Sequence, residues 1–148
     1  MTRPKAPPVP PASADEIELQ FYEALRLADI ERLMAVWSDD DDISCVHPGG
    51  PRLAGAAAIR ASFEAMFKRG PIHVHPEKVR RLQSHSCAVH SVLERIEVPV
   101  PNGRESAWVV ATNVYLKGAQ GWRLVAHHAS PGAAGAAQDS VESAATLH

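Results

Sequence analysis

The sequence predicts an α+β domain in which three N-terminal helices pack on one face of a curved, mainly antiparallel β-sheet. Three observations carry this. Up to Gly70, apolar residues recur at helical spacing. From Ile72 onward the chain turns to β-rich runs separated by turn signals. One short apolar run, ISCVH at 43–47, stands apart between the second and third helical segments.

Taken in order, Ser13-Ala-Asp-Glu16 forms a capping box, in which the Ser side chain accepts from the backbone at Glu16. Behind it Ile17, Phe21, Ala24, Leu25 and Ala28 follow the spacing of one helical face. Asp29 is placed to cap a second helix carrying Ile30, Leu33, Met34 and Trp37, which the acidic run 39–42 ends. The strand ISCVH follows, closed by Pro48-Gly49-Gly50. A third helix begins after Gly55 with Ile59, Phe63, Met66 and Phe67 aligned as core, and Gly70-Pro71 stops it. The runs VRRLQ, CAVHSVLERIEV, SAWVVATNVYL and WRLVAHHAS then read as four strands. PNGR at 101–104 and KGAQG at 117–121 are the tight connections.

The 148 residues suit one domain, expected over 13–131, with 45% apolar residues and no internal repeat. Residues 1–12 hold five prolines and read as a disordered tail, and the small, polar stretch 132–148 as a flexible one. A net charge of −2, with both signs spread along the chain, gives no footprint for nucleic acid. No apolar run approaches the ~18 residues that span a membrane, and MTRPKAPPVPPAS lacks the apolar stretch of a signal peptide. Cys45 and Cys87 sit in strand-like runs and read as small buried residues of a cytoplasmic protein. Phosphate-loop, dinucleotide and nucleophile-elbow motifs do not occur, and no cofactor is expected.

The block AVWSDDDDISCVHPGGPRLAGAAAIRASFEAMF resembles the "helix, acidic turn, strand, xPxG, G-x-x-A-I-R" segment of the NTF2-like superfamily. That superfamily is the cone-shaped fold of SnoaL-like polyketide cyclases and steroid Δ5-isomerases. The ending GWRLVAHHAS is similar to the terminal strand of SnoaL-like proteins and of the association domain of calmodulin-dependent kinases. The resemblance covers roughly residues 15–131 in element order and implies an NTF2-like cone. In the isomerases the strand before the third helix ends in Asp-Pro, the Asp being the general base; the matching dipeptide here is His47-Pro48. A histidine can serve as a neutral base. The isomerases' oxyanion-hole Tyr and Asp fall on Phe21 and Thr112, which do not reproduce it, so steroid isomerase activity is not implied. The cyclase type needs one acid/base in an apolar pocket, and His47 meets that requirement.

His47 is therefore the expected catalytic residue, with a strand-end histidine bonded to a neighbour as the alternative. By alternation Trp108, Val110 and Thr112 share one face of their strand, and with Phe21 and Trp37 are expected to line an apolar pocket. Ordinary core is the alternative for the aromatics. His128 is expected to face inward with Trp122, Leu124 and Ala126, and His127 outward. A β-bulge would exchange the two, so both remain candidates. Thr112, Asn113 and His128 are the strand residues that could supply a second polar group beside His47. His73-Val-His75 puts two imidazoles on one strand face, but no third ligand is spaced to complete a site, and no metal is expected. The expected ligand is small and apolar or amphipathic. The outward set Val109, Ala111, Asn113, Tyr115, Val125 and His127 is expected to pair two copies in a homodimer. The expected function is acid/base chemistry of the cyclase, isomerase, hydratase or dehydratase type. A non-catalytic ligand-binding or assembly module is the alternative.

Overall fold

A computed structural model describes residues 13–133 and 140. The expected tail over 1–12, and most of that over 132–148, lie outside the described residues. The chain forms α1 (Ala14–Leu27), α2 (Ile30–Val36), β1 (Ser44–Val46), β2 (Arg52–Ala54), α3 (Ala56–Phe67), β3 (Val74–Gln83), β4 (Cys87–Val100), β5 (Gly103–Gly118) and β6 (Gly121–Pro131). Six strands make one sheet in the order β2-β1-β6-β5-β4-β3, antiparallel throughout except where β1 runs parallel to β6. The strand β2 was not among the sequence expectations, and β3 starts earlier than VRRLQ.

The helix starts follow from local chemistry. The Ser13 side chain accepts from the Glu16 amide at 3.2 Å, and Asp29 accepts from Arg32 at 3.1 Å. Each satisfies a backbone donor that the first turn leaves without a partner. The inward stripe of α1 is Ala14, Ile17, Phe21, Ala24 and Leu25, but it also contains Glu18 and Tyr22, both buried. After β1 the chain turns through His47-Pro48-Gly49-Gly50, closed by the Gly50 amide donating to the His47 carbonyl at 2.8 Å. Pro48 suits the first central position of such a turn. Gly49, at φ +74°, suits the second, where a side chain would be strained. ISCVHPGG is thus a strand that stops hard, with His47 fixed at its end. The hairpins β4–β5 and β5–β6 close through the two-residue loops Pro101-Asn102 and Ala119-Gln120.

Register decides which side chains meet the helices. In β4 the inward set is Ala88, His90, Val92 and Glu94, opposite Tyr115, Asn113, Ala111 and Val109 of β5. This reverses the expected faces: Trp108, Val110 and Thr112 stand on the outer side of the sheet, with Trp108 and Val110 half-buried and Thr112 exposed. Alternation separates two sets without saying which faces the helices. The tight layer beneath the helices takes Ala88 and Ala111, both fully buried. In β6, Leu124 pairs with Tyr115 and Ala126 with Val114, so Val125 is an extra residue, a β-bulge. Trp122 and Leu124 point inward before it, and His127 and Ala129 after it. His127 is buried and His128 exposed, so the expected orientations are exchanged, and Val125 packs partly against the core. The predicted dimer face is therefore the inner one, apart from this bulged residue.

Candidate active site

A small cavity of about 70 Å³ opens between α1, α3 and the inner face of the sheet. Its walls are mainly apolar, Phe21, Phe63, Met66 and Val109 among them, and three titratable side chains reach it: His47, Glu94 and His127. Each arrives from a different strand context. His47 comes from the stop after β1, Glu94 from β4 and His127 from β6 beyond the bulge.

Glu94 is 6% exposed, and burial pushes its carboxyl up to about 7. The Tyr22 hydroxyl, donating to Oε2 at 2.7 Å, works against that rise, while the negative charge of Glu18 adds to it. The Tyr22 oxygen in turn accepts from Asn113 Nδ2 at 3.0 Å, and Asn113 Oδ1 lies 2.5 Å from His127 Nδ1. With the amide nitrogen committed to Tyr22, Asn113 Oδ1 must accept, so His127 carries its proton on Nδ1. Its Nε2 keeps a free lone pair, with no hydrogen-bond partner among the described residues. Burial, reinforced by His47 and His128, holds His127 down at about 3, so the ring is neutral. The result is a directed chain, His127 to Asn113 to Tyr22 to Glu94, that orients both ends toward the cavity.

His47 meets Ser62 of α3, Nε2 to Oγ at 2.6 Å, and its ring stands edge-on to Phe63 at 4.9 Å. Burial lowers its pKa, which keeps it neutral. Phe21 packs its ring 5.1 Å from His127 and lines the cavity. Trp37 does not: it ends α2, bridges to Leu124 and is buried in the core. Trp108, Val110, Thr112 and His128 lie across the sheet from the cavity. Asn113 is brought to the site, but behind His127 rather than on the wall. Tyr22 and Asn113 each stand one residue beyond the positions Phe21 and Thr112 that the resemblance singled out.

Glu94 and Tyr22 were missed by the sequence reading. A signal existed: Glu94 and His90 share the parity of Ala88, Val92 and Ile96. The other parity, with Val89 and Leu93, is also partly apolar, so the inward face was ambiguous. A larger groove of about 630 Å³ lies between the turn 38–44 and the β5–β6 hairpin, bordered by Asp39, Asp40, Asp42, Lys117 and Arg123. The buried trio His47, Glu94 and His127 does not border it, so its size alone does not make it the centre of the chemistry. The cysteines are free, Cys45 buried and Cys87, contrary to expectation, only half-buried; burial pushes the Cys45 thiol up to about 12.

Comparison with known proteins agrees with this architecture. Searching curated protein sequences gave no match. Among solved structures, a protein from Thiobacillus denitrificans is similar at 33% identity, covering 84% of this chain and 98% of that one with a TM-score of 0.75. It is provisionally named a calcium/calmodulin-dependent protein kinase type II association domain. A provisionally named dehydratase of the NTF2-like family from Streptomyces avermitilis is 30% identical over 79% of this chain and 92% of that one, with a TM-score of 0.70. An NTF2-like protein of unknown function from Pseudomonas putida shares the fold at 20% identity, 86% and 89% coverage and a TM-score of 0.69. The SnoaL-like domain model matches residues 16–134. With that match over most of the chain, and the three helices and six-stranded sheet just described, the protein belongs to the SnoaL-like family of the NTF2-like superfamily.

Proposed function

We propose that the cone binds a small, largely apolar molecule and moves a proton on it without a cofactor, with Glu94 as the acid/base. One observation carries this: a carboxyl held at about 7 forms part of a cavity wall shared with two neutral imidazoles. A group that is half-ionised near neutral pH can both take a proton and return it. His127 Nε2 is oriented to accept a hydrogen bond from a substrate hydroxyl, and His47 supplies a second neutral base at the mouth. A single group that removes a proton from carbon and delivers one to another carbon or to a leaving hydroxyl performs isomerisation or dehydration. The similarity to the provisionally named dehydratase supports that reaction class. Catalysis requires a second polar group beside His47, and Glu94 and His127 fill that place rather than Thr112 or His128.

The test is a ¹³C-carboxyl NMR titration of Glu94, paired with native mass spectrometry of the protein as purified. A carboxyl titrating near 7, together with a retained small mass, is the expected result. A Glu94 that titrates with ordinary surface carboxylates would remove the acid/base.

A second reading, an assembly module, draws on the outer face of the sheet, where Trp108, Val110 and Val114 are half-buried and Leu116 is 46% exposed. An apolar stripe of this kind suits a homodimer, and the similarity to the provisionally named association domain points the same way. Val110→Glu should then convert a dimer to monomer in light scattering. A wild-type monomer would overturn the interface and leave the cavity chemistry standing.

A further inference from the structure

At the other end of the inner face, away from the cavity, α1 and β4 bring together Asp15, Glu18 and His90, one ligand atom of each lying within 4.8 Å of the others. We propose that Asp15 and His90 bind a borderline divalent cation such as zinc, with Glu18 as the carboxylate that orients the imidazole.

The site centres on His90. It is fully buried, and its two nitrogens are in different situations. Nδ1 lies 2.7 Å from Glu18 Oε2, an oxygen that also accepts the Tyr115 hydroxyl at 2.8 Å. Nε2 is buried with no hydrogen-bond partner among the described residues and lies 3.9 Å from Asp15 Oδ1. A carboxylate on Nδ1 fixes the proton there and turns the Nε2 lone pair outward. That is how metal-ligating histidines are held from behind. A buried nitrogen lone pair facing a carboxylate across a gap too wide for a hydrogen bond repels it unless something cationic or protic stands between.

The distances suit a cation after a small adjustment. Ligand atoms of a tetrahedral zinc stand about 3.3 Å apart, so the pair must close by roughly half an ångström. Asp15 can supply the movement, since its side chain is 59% exposed. Its present partner is Arg81 at 2.8 Å, itself 45% exposed. An exposed pair of this kind is held weakly against water and can yield or shift to the second carboxylate oxygen. Imidazole plus carboxylate, with water in the remaining positions, favours zinc, nickel or copper over calcium or magnesium. This site differs from the His73–His75 pair considered from sequence, of which His75 lies 3.6 Å from Glu97.

The experiment is calorimetric titration of the full chain with zinc chloride. One zinc per chain is expected, with affinity falling about tenfold or more in Asp15→Asn. Asp15→Asn changes one exposed side chain and should leave the fold intact. Binding should also be lost in His90→Asn where circular dichroism shows that variant folded, and retained in a His73→Gln/His75→Gln double variant. No heat at about 1 mM zinc, binding unaffected by Asp15→Asn, or loss in the double variant would each overturn the site.

Discussion

The two ends of the sheet's inner face use the same three side-chain types, a glutamate, a tyrosine and a histidine, to opposite effect. At the closed end Glu18 accepts on a single oxygen from both His90 and Tyr115. At the cavity end Glu94 receives only Tyr22, and its histidine is reached indirectly through Asn113. Each glutamate keeps a second oxygen with no donor among the described residues, but Glu94 lines the cavity, where something that enters can reach it, and Glu18 does not. What separates structural from chemical use is the adjoining space, not residue type. His47 belongs with Glu94 in this respect, having one internal partner and a place on the cavity wall.

The largest effect should come from removing the heavily engaged carboxylate. Glu18→Ala leaves His90 Nδ1 and the Tyr115 hydroxyl buried without an acceptor and should cost about 3–5 kcal/mol in urea unfolding. A loss under about 1 kcal/mol would mean that this end of the sheet is wetter than described.

Glu94 should show itself through pH. Its folded-state pKa of about 7 is raised above the unfolded value of 4.5, so the native protein holds a proton that the unfolded chain releases. That contribution is fully present below 4.5 and is lost as pH rises through 7, by about 3 kcal/mol in all. Wild type minus Glu94→Gln isolates it, and a flat difference between pH 4.5 and 7 would refute the raised pKa. His127 has the opposite sign. Depressed from 6.5 to about 3, it contributes stability that is present above 6.5 and lost as pH falls toward 3.

Asn113→Ala should cost about 2 kcal/mol, because it strands the buried Nδ1–H of His127 and removes the donor to Tyr22. The neighbouring Thr112→Ala, on the exposed outer face, should stay within about 0.5 kcal/mol. Equal costs would contradict the assignment of faces. Smallest of all, His47→Gln should change stability by less than about 1 kcal/mol, since glutamine can keep a bond to Ser62, while abolishing any activity that needs a base there. A loss of several kcal/mol would make His47 a structural residue.

Much of the fold was legible before any coordinates. The capping residues Ser13 and Asp29, the stop at Gly70-Pro71, the hard turn after ISCVH and the hairpin connections are local signals, each read from neighbours a few residues apart. Local chemistry was enough to place His47 at the end of its strand and Phe21 on the inward stripe of α1. The rest of the site was not legible in this way. Which parity of β5 faces the helices depends on what packs above it. One extra residue at Val125 exchanges His127 and His128, and nothing in WRLVAHHAS marks the bulge. Glu94 became a candidate acid only because β4 turns it inward, beneath Tyr22 and beside an apolar cavity, where burial raises its pKa. The sequence by itself therefore determined the three helices, five of the six strands, their order and the family. Tertiary structure alone decided which titratable groups lose water and which meet, because burial and register come from contacts between residues far apart in the chain.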